Sequence, residues 1–99
     1  MAEPDVQALA DEVAQLMAQR FGGARRGTRP DLATMLRRRG GALPRRKRKA
    51  AQRLAALQQK AVVPRVARQI DTTPAVRDHA ELVKYLRPLG AHLFLSANA

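Results

Sequence analysis

Ninety-nine residues with 19 Lys and Arg against 8 Asp and Glu carry a formal charge of +11, enough chain for one small domain and not two. The absence of cysteine excludes disulfides, thiolate chemistry and the usual structural zinc site. No uninterrupted apolar run approaches the length of a membrane span, and the acidic start Met1 to Asp5 resembles neither a secretory signal nor a transit peptide, so a soluble cytoplasmic protein is expected.

The hydrophobic content of 45% overstates the core, because it includes 19 alanines. Leu, Ile, Val and Phe together number 22, close to the border below which strongly charged chains stay unfolded. Help from a partner or a second copy, as in a homo-oligomer, is consistent with so thin a core. The charge is unevenly placed. Residues 1–19 sum to −4, residues 20–49 to +11, residues 50–70 to +4, and residues 71–99 to zero. The middle of the chain therefore holds +15 and faces an acidic first segment, the asymmetry of a polyanion site or a basic tail. Arg outnumbers Lys fifteen to four, which suits two-point binding of phosphate and also matches the composition of a GC-rich genome.

In chain order, Val6, Leu9, Val13, Leu16 and Met17 form one stripe of an amphipathic helix, with Pro4 and Asp5 in its first turn and Gly22-Gly23 at its end. Residues 22–30 read as a basic loop. Thr28 and Asp31 have the spacing of a capping box, and Leu32, Met35 and Leu36 give a short second helix. Arg37, Arg38 and Arg39 close that helix before Gly40-Gly41. Pro44 suits the first position of a third helix whose stripe is Ala50, Leu54, Leu57 and Ala61. Val62-Val63-Pro64 interrupts it, with a short continuation through Val66, Ala67 and Ile70. A capping Thr before Pro74 starts a last helix along Val76, Ala80, Val83 and Leu86. Residues 89–99 form a tail whose order the pattern leaves open, with an apolar patch at Leu93, Phe94 and Leu95. Period-two alternation is missing throughout. The expected architecture is all-α, a single domain over residues 1–99 built as a bundle of four to five short helices with a partly flexible basic centre.

The run Arg45-Arg46-Lys47-Arg48-Lys49 sweeps more than a full helical turn. It also sits near a helix N-terminus, where the dipole disfavours cations, so this turn is expected to be frayed or extended until an anion covers it. Arg46, Lys49, Arg53 and Lys60 fall on one arc beside the apolar seam. Arg37, Arg38, Arg39, Arg45, Arg46, Lys47, Arg48, Lys49, Arg53 and Lys60 are thus the candidate phosphate contacts, and the loop bases Arg25, Arg26 and Arg29 would extend the surface. The bland alternative is a solvated charge run that keeps a thin-cored chain in solution. The turn between the second and third helices, with two glycines and a proline, fits a DNA-reading helix-turn-helix poorly. Sequence-specific readout is not expected, since Asn is almost absent and few Gln lie among the bases.

Aromatic platforms for unpaired bases are scarce, which favours DNA duplexes or structured RNA over single strands. A membrane surface is a weaker partner, because the apolar face lacks Trp and Phe anchors. His79 on the apolar face reads as a half-buried, hydrogen-bonded side chain, and its distance from His92 matches no metal-ligand spacing. Neither a catalytic constellation nor a cofactor motif is visible, so no cofactor or metal is expected. The expectation is non-enzymatic, largely sequence-independent binding of nucleic acid. The alternative is an adaptor or assembly subunit whose basic surface docks on an acidic protein.

Overall fold

The computed structural model describes residues 5–25, 27 and 29–87, and every regular element among them is helical. The order is α1 (Val6–Phe21), α2 (Leu32–Arg39), a 3-10 turn (Gly40–Ala42), α3 (Arg45–Ala61), α4 (Pro64–Ala67) and α5 (Thr73–Leu86). The all-α expectation holds. Arg26, Thr28 and the tail at 89–99 lie outside the described residues.

Each boundary has a local cause. Asp5 is the N-cap of α1, one residue before the first turn in which the sequence reading put it, and its carboxylate accepts from the Gln7 N–H at 3.0 Å. Pro44 likewise caps α3 from outside, where its fixed φ of −57° and missing N–H cost nothing. The α2 stop differs from the expected glycine cap. Gly40 has φ −59° and ψ −31°, a helical conformation, so the chain tightens into the 3-10 turn before Leu43 extends it. At α5 the N-cap is Thr72, but its hydroxyl makes no capping bond; Asp71, one residue earlier, accepts from the Thr73 N–H through Oδ1 at 3.0 Å. That donated hydrogen bond holds the Asp71 carboxyl below its ordinary range.

Four helices make the core. Gln58 in the last turns of α3 exchanges hydrogen bonds with Gln7 at the start of α1, so these helices run antiparallel. Lys47 meets Glu81 and Arg53 meets Asp78, so α3 and α5 are antiparallel as well. It follows that α1 and α5 run parallel, and α2 packs against α1 and α3. The large buried side chains are Val13, Met17, Leu32, Met35, Leu54 and Leu82, with alanines filling the gaps between backbones. On α3 the buried residues are Ala50, Ala51, Leu54, Ala55 and Gln58, with Leu57 and Ala61 at the margin.

The α5 stripe is a correction. Its buried residues are Ala75, Asp78, Leu82 and Leu86, while Val76 and Ala80 face solvent. This orientation buries Leu82 and Leu86 and turns Asp78 toward Arg53 of α3. Glu12 in α1 is shared by two α5 side chains: His79 Nε2 lies 2.5 Å from its Oε1, and Arg87 pairs with Oε2. His79 is thereby the half-buried, partnered residue that its position suggested.

Candidate nucleic-acid interface

α3 carries Arg45, Arg46, Lys47, Arg48, Lys49, Arg53 and Lys60 and contains no acidic residue. Residues 45–49 are helical, not extended, and form its first turns. Part of the reason is a carboxylate that the sequence reading did not supply. Lys47 projects from the buried side of the helix and donates to Glu81 at 2.7 Å. That hydrogen bond, reinforced by the ammonium charge, holds the Glu81 carboxyl below its ordinary range.

Arg53 reaches the same neighbouring helix. Its Nε and Nη2 donate to the two oxygens of Asp78 at 3.0 and 2.9 Å, a forked pair. The Asp78 side chain is 4% exposed and the Arg53 side chain 57%. These hydrogen bonds push the Arg53 guanidinium still higher than its usual value, against an opposing effect of desolvation. The counter-charges to the basic helix therefore come from α5. The acidic α1 supplies no ion pair to it, since its Glu12 is engaged with His79 and Arg87.

Arg45, Arg46, Lys49 and Lys60 are exposed, and none has a carboxylate within ion-pair distance among the described residues. At about 100° per residue, Lys49, Lys60, Arg53 and Arg46 occupy an arc of about 60° on the outer side of α3. The N-cap Pro44 offers no side-chain acceptor to the first N–H groups of this helix, which leaves their partial positive charge facing the same end.

The arginine triplet of α2 has a double employment. Arg38 Nη1 donates to the Gly23 carbonyl at 2.9 Å and Arg39 Nε to the Phe21 carbonyl at 3.1 Å. Arg37 reaches only Thr34 in its own helix, at 3.3 Å. Arg38 and Arg39 thus satisfy carbonyls at the C-terminal end of α1, where positive charge suits the helix dipole. Gly23 is required for this clamp: its φ is +92°, and a Cβ there would lie 2.9 Å from Arg39 Cγ. Arg38 also lines a shallow depression with Arg25, Arg29 and Asp31, which brings loop bases beside α2.

The ten basic residues that look equivalent in the sequence are separated by the geometry. Arg45, Arg46, Lys49 and Lys60 are outward and form no ion pair, although Arg46 lies near enough to Glu81 to add to the charge that lowers its pKa. Lys47 and Arg53 are tied to α5, and Arg38 and Arg39 hold a loop. Arg48 is half-buried beside Gly40. Among the described residues no cluster of His, Asp or Glu could hold a metal ion, and no helix is long and apolar enough to cross a membrane. No protein-family model matches the chain, and neither a curated protein nor a solved structure is similar enough to count as a match.

Proposed function

We propose that this protein is a non-enzymatic nucleic-acid-binding protein that engages phosphates through the outer face of α3. The observation that carries the reading is the acid-free charge of that face. A helix kept charged only for solubility ordinarily alternates signs, so that neighbouring side chains neutralise one another at i and i+4. Here Arg45, Arg46, Lys49 and Lys60 repel one another in the free protein, and a row of phosphates relieves that repulsion while releasing its own counterions. The free edge of Arg53, on the same arc of α3, adds to this positive region.

Docking on an acidic protein is the second reading, favoured by Val62, Val63 and Val66. These exposed apolar side chains adjoin Lys60 at the α3–α4 junction. A salt titration separates the two. Fluorescence anisotropy on labelled duplexes should give log affinity falling linearly with log salt, by about 0.9 per phosphate contact. With four to six contacts the slope lies near −4 to −5. Binding that is already lost at physiological salt would favour the protein partner.

A further inference from the structure

The outer face of α3 is not uniformly basic, and its asymmetry bears on which nucleic acid it fits. Arg46, Lys49, Arg53 and Lys60 form one rail. On the other side of the line through Arg45 and Ala56 lie Gln52 and Gln59, both exposed and within about 20° of each other on the helix. Neither carboxamide has a protein hydrogen-bond partner among the described residues. Ala56, exposed between the rails, lets the helix backbone approach a surface closely. A carboxamide can donate to phosphate as the bases do, but it alone on this face offers the paired donor and acceptor that a base edge requires.

The described aromatics argue against unpaired bases. Phe21 and Tyr85 are packed against the core, and the Arg20 guanidinium lies over both rings, at 5.6 and 4.7 Å from their centres. They offer no free platform for stacking. A helix with side chains is about 10–12 Å across, which matches a B-form major groove about 12 Å wide. The A-form major groove of duplex RNA is too deep and narrow to admit it.

Resting on the phosphate-binding reading above, we infer that the ligand is B-form duplex DNA and that α3 lies in its major groove. The Arg46–Lys49–Arg53–Lys60 rail follows one phosphate strand, and Gln52 and Gln59 reach the base edges. The amides add a modest base preference, strongest for adenine, to a binding energy that is mainly ionic.

The test compares the full chain on matched probes: duplex DNA, duplex RNA of the same sequence, each single strand, and duplex DNA whose major groove is filled by glucosylated hydroxymethylcytosine. Duplex DNA should bind about tenfold more tightly than the filled duplex or duplex RNA, and a minor-groove ligand should leave its affinity unchanged. The double variant Gln52→Ala, Gln59→Ala should lose about five- to tenfold on duplex DNA with the salt slope intact, because no charge is removed. Both positions are exposed, and circular dichroism checks that the helices persist. Equal affinity for filled DNA, duplex RNA or single strands overturns the groove placement and leaves phosphate binding standing. Absence of salt-dependent binding to every probe overturns both.

Discussion

α1 and α3 are nearly equal in length and bury five residues each, yet they dispose of their charge in opposite ways. The acids of α1 and its cap are turned to the fold: Asp5 caps the helix, Asp11 approaches Gln58, and Glu12 joins His79 to Arg87. In α3 only Lys47 and Arg53 form ion pairs with carboxylates, Arg48 is half-buried beside Gly40, and Arg45, Arg46, Lys49 and Lys60 face outward. The buried sides differ too. α1 contributes Val6, Val13 and Met17, whereas α3 buries one leucine among alanines and Gln58. α1 is thus built chiefly to hold the bundle. α3 is held by the bundle and keeps its surplus charge for something outside it.

That contrast can be broken most forcefully at Leu54, the one large fully buried side chain of α3. Leu54→Ala should lower unfolding free energy by about 2–5 kcal/mol in urea titrations, a large share of the stability of so small a domain. Next in size is the outward charge. Replacing Arg45, Arg46, Lys49 and Lys60 by Gln should weaken duplex binding by about a hundredfold or more and flatten the salt slope by about 3–4. The thermal midpoint should hold or rise, because like charges are removed. If stability collapses instead, these side chains belong to the fold and the division between the helices fails.

Arg53 tests the border between the two roles. Arg53→Ala leaves a buried carboxylate without its fork and should cost about 1–3 kcal/mol. Removing Asp78 as well should restore part of that loss in a double-mutant cycle. The salt slope should move by no more than about 0.9. The smallest effect concerns Glu81. Its carboxyl titrates below its unfolded value, so the Lys47 pair adds stability that is complete above that value and disappears as pH falls through the folded one. Urea midpoints of the wild type and Glu81→Gln should therefore differ at neutral pH and converge in acid.

The helices and most of their ends were readable from the sequence because proline, glycine and Asp act locally. α2 is the exception, with Asp31 at its N-cap position rather than inside the helix as a capping box requires, and with Gly40 still helical. Val62-Val63-Pro64 breaks the chain where its chemistry requires, and Pro44 and Asp5 miss their expected roles by a single position. The orientation of α5 was not readable. Counting valines favours Val76 and Ala80 as inward, whereas a buried Asp78 makes sense only once Arg53, twenty-five positions away, is known to face it. Gln58 repeats the lesson, since its partners Gln7 and Asp11 lie on another helix. Alanine-rich helices add to the ambiguity, because alanine is at home on either face. The basic stretch itself was plain, but its division into outward, tied and loop-holding members depends on long-range register that no local pattern encodes.

Arg20 has an optical consequence. Its guanidinium covers Tyr85 while its Nη1 donates to the Tyr85 carbonyl at 2.7 Å, and this is the sole tyrosine of a chain without tryptophan. The protein's only strong native fluorophore is therefore fixed in the seam between α1 and α5 rather than on the outer arc of α3. Its emission reports whether the helices remain packed. A ligand seated on α3 should leave that signal silent, and one that changes it has loosened the bundle.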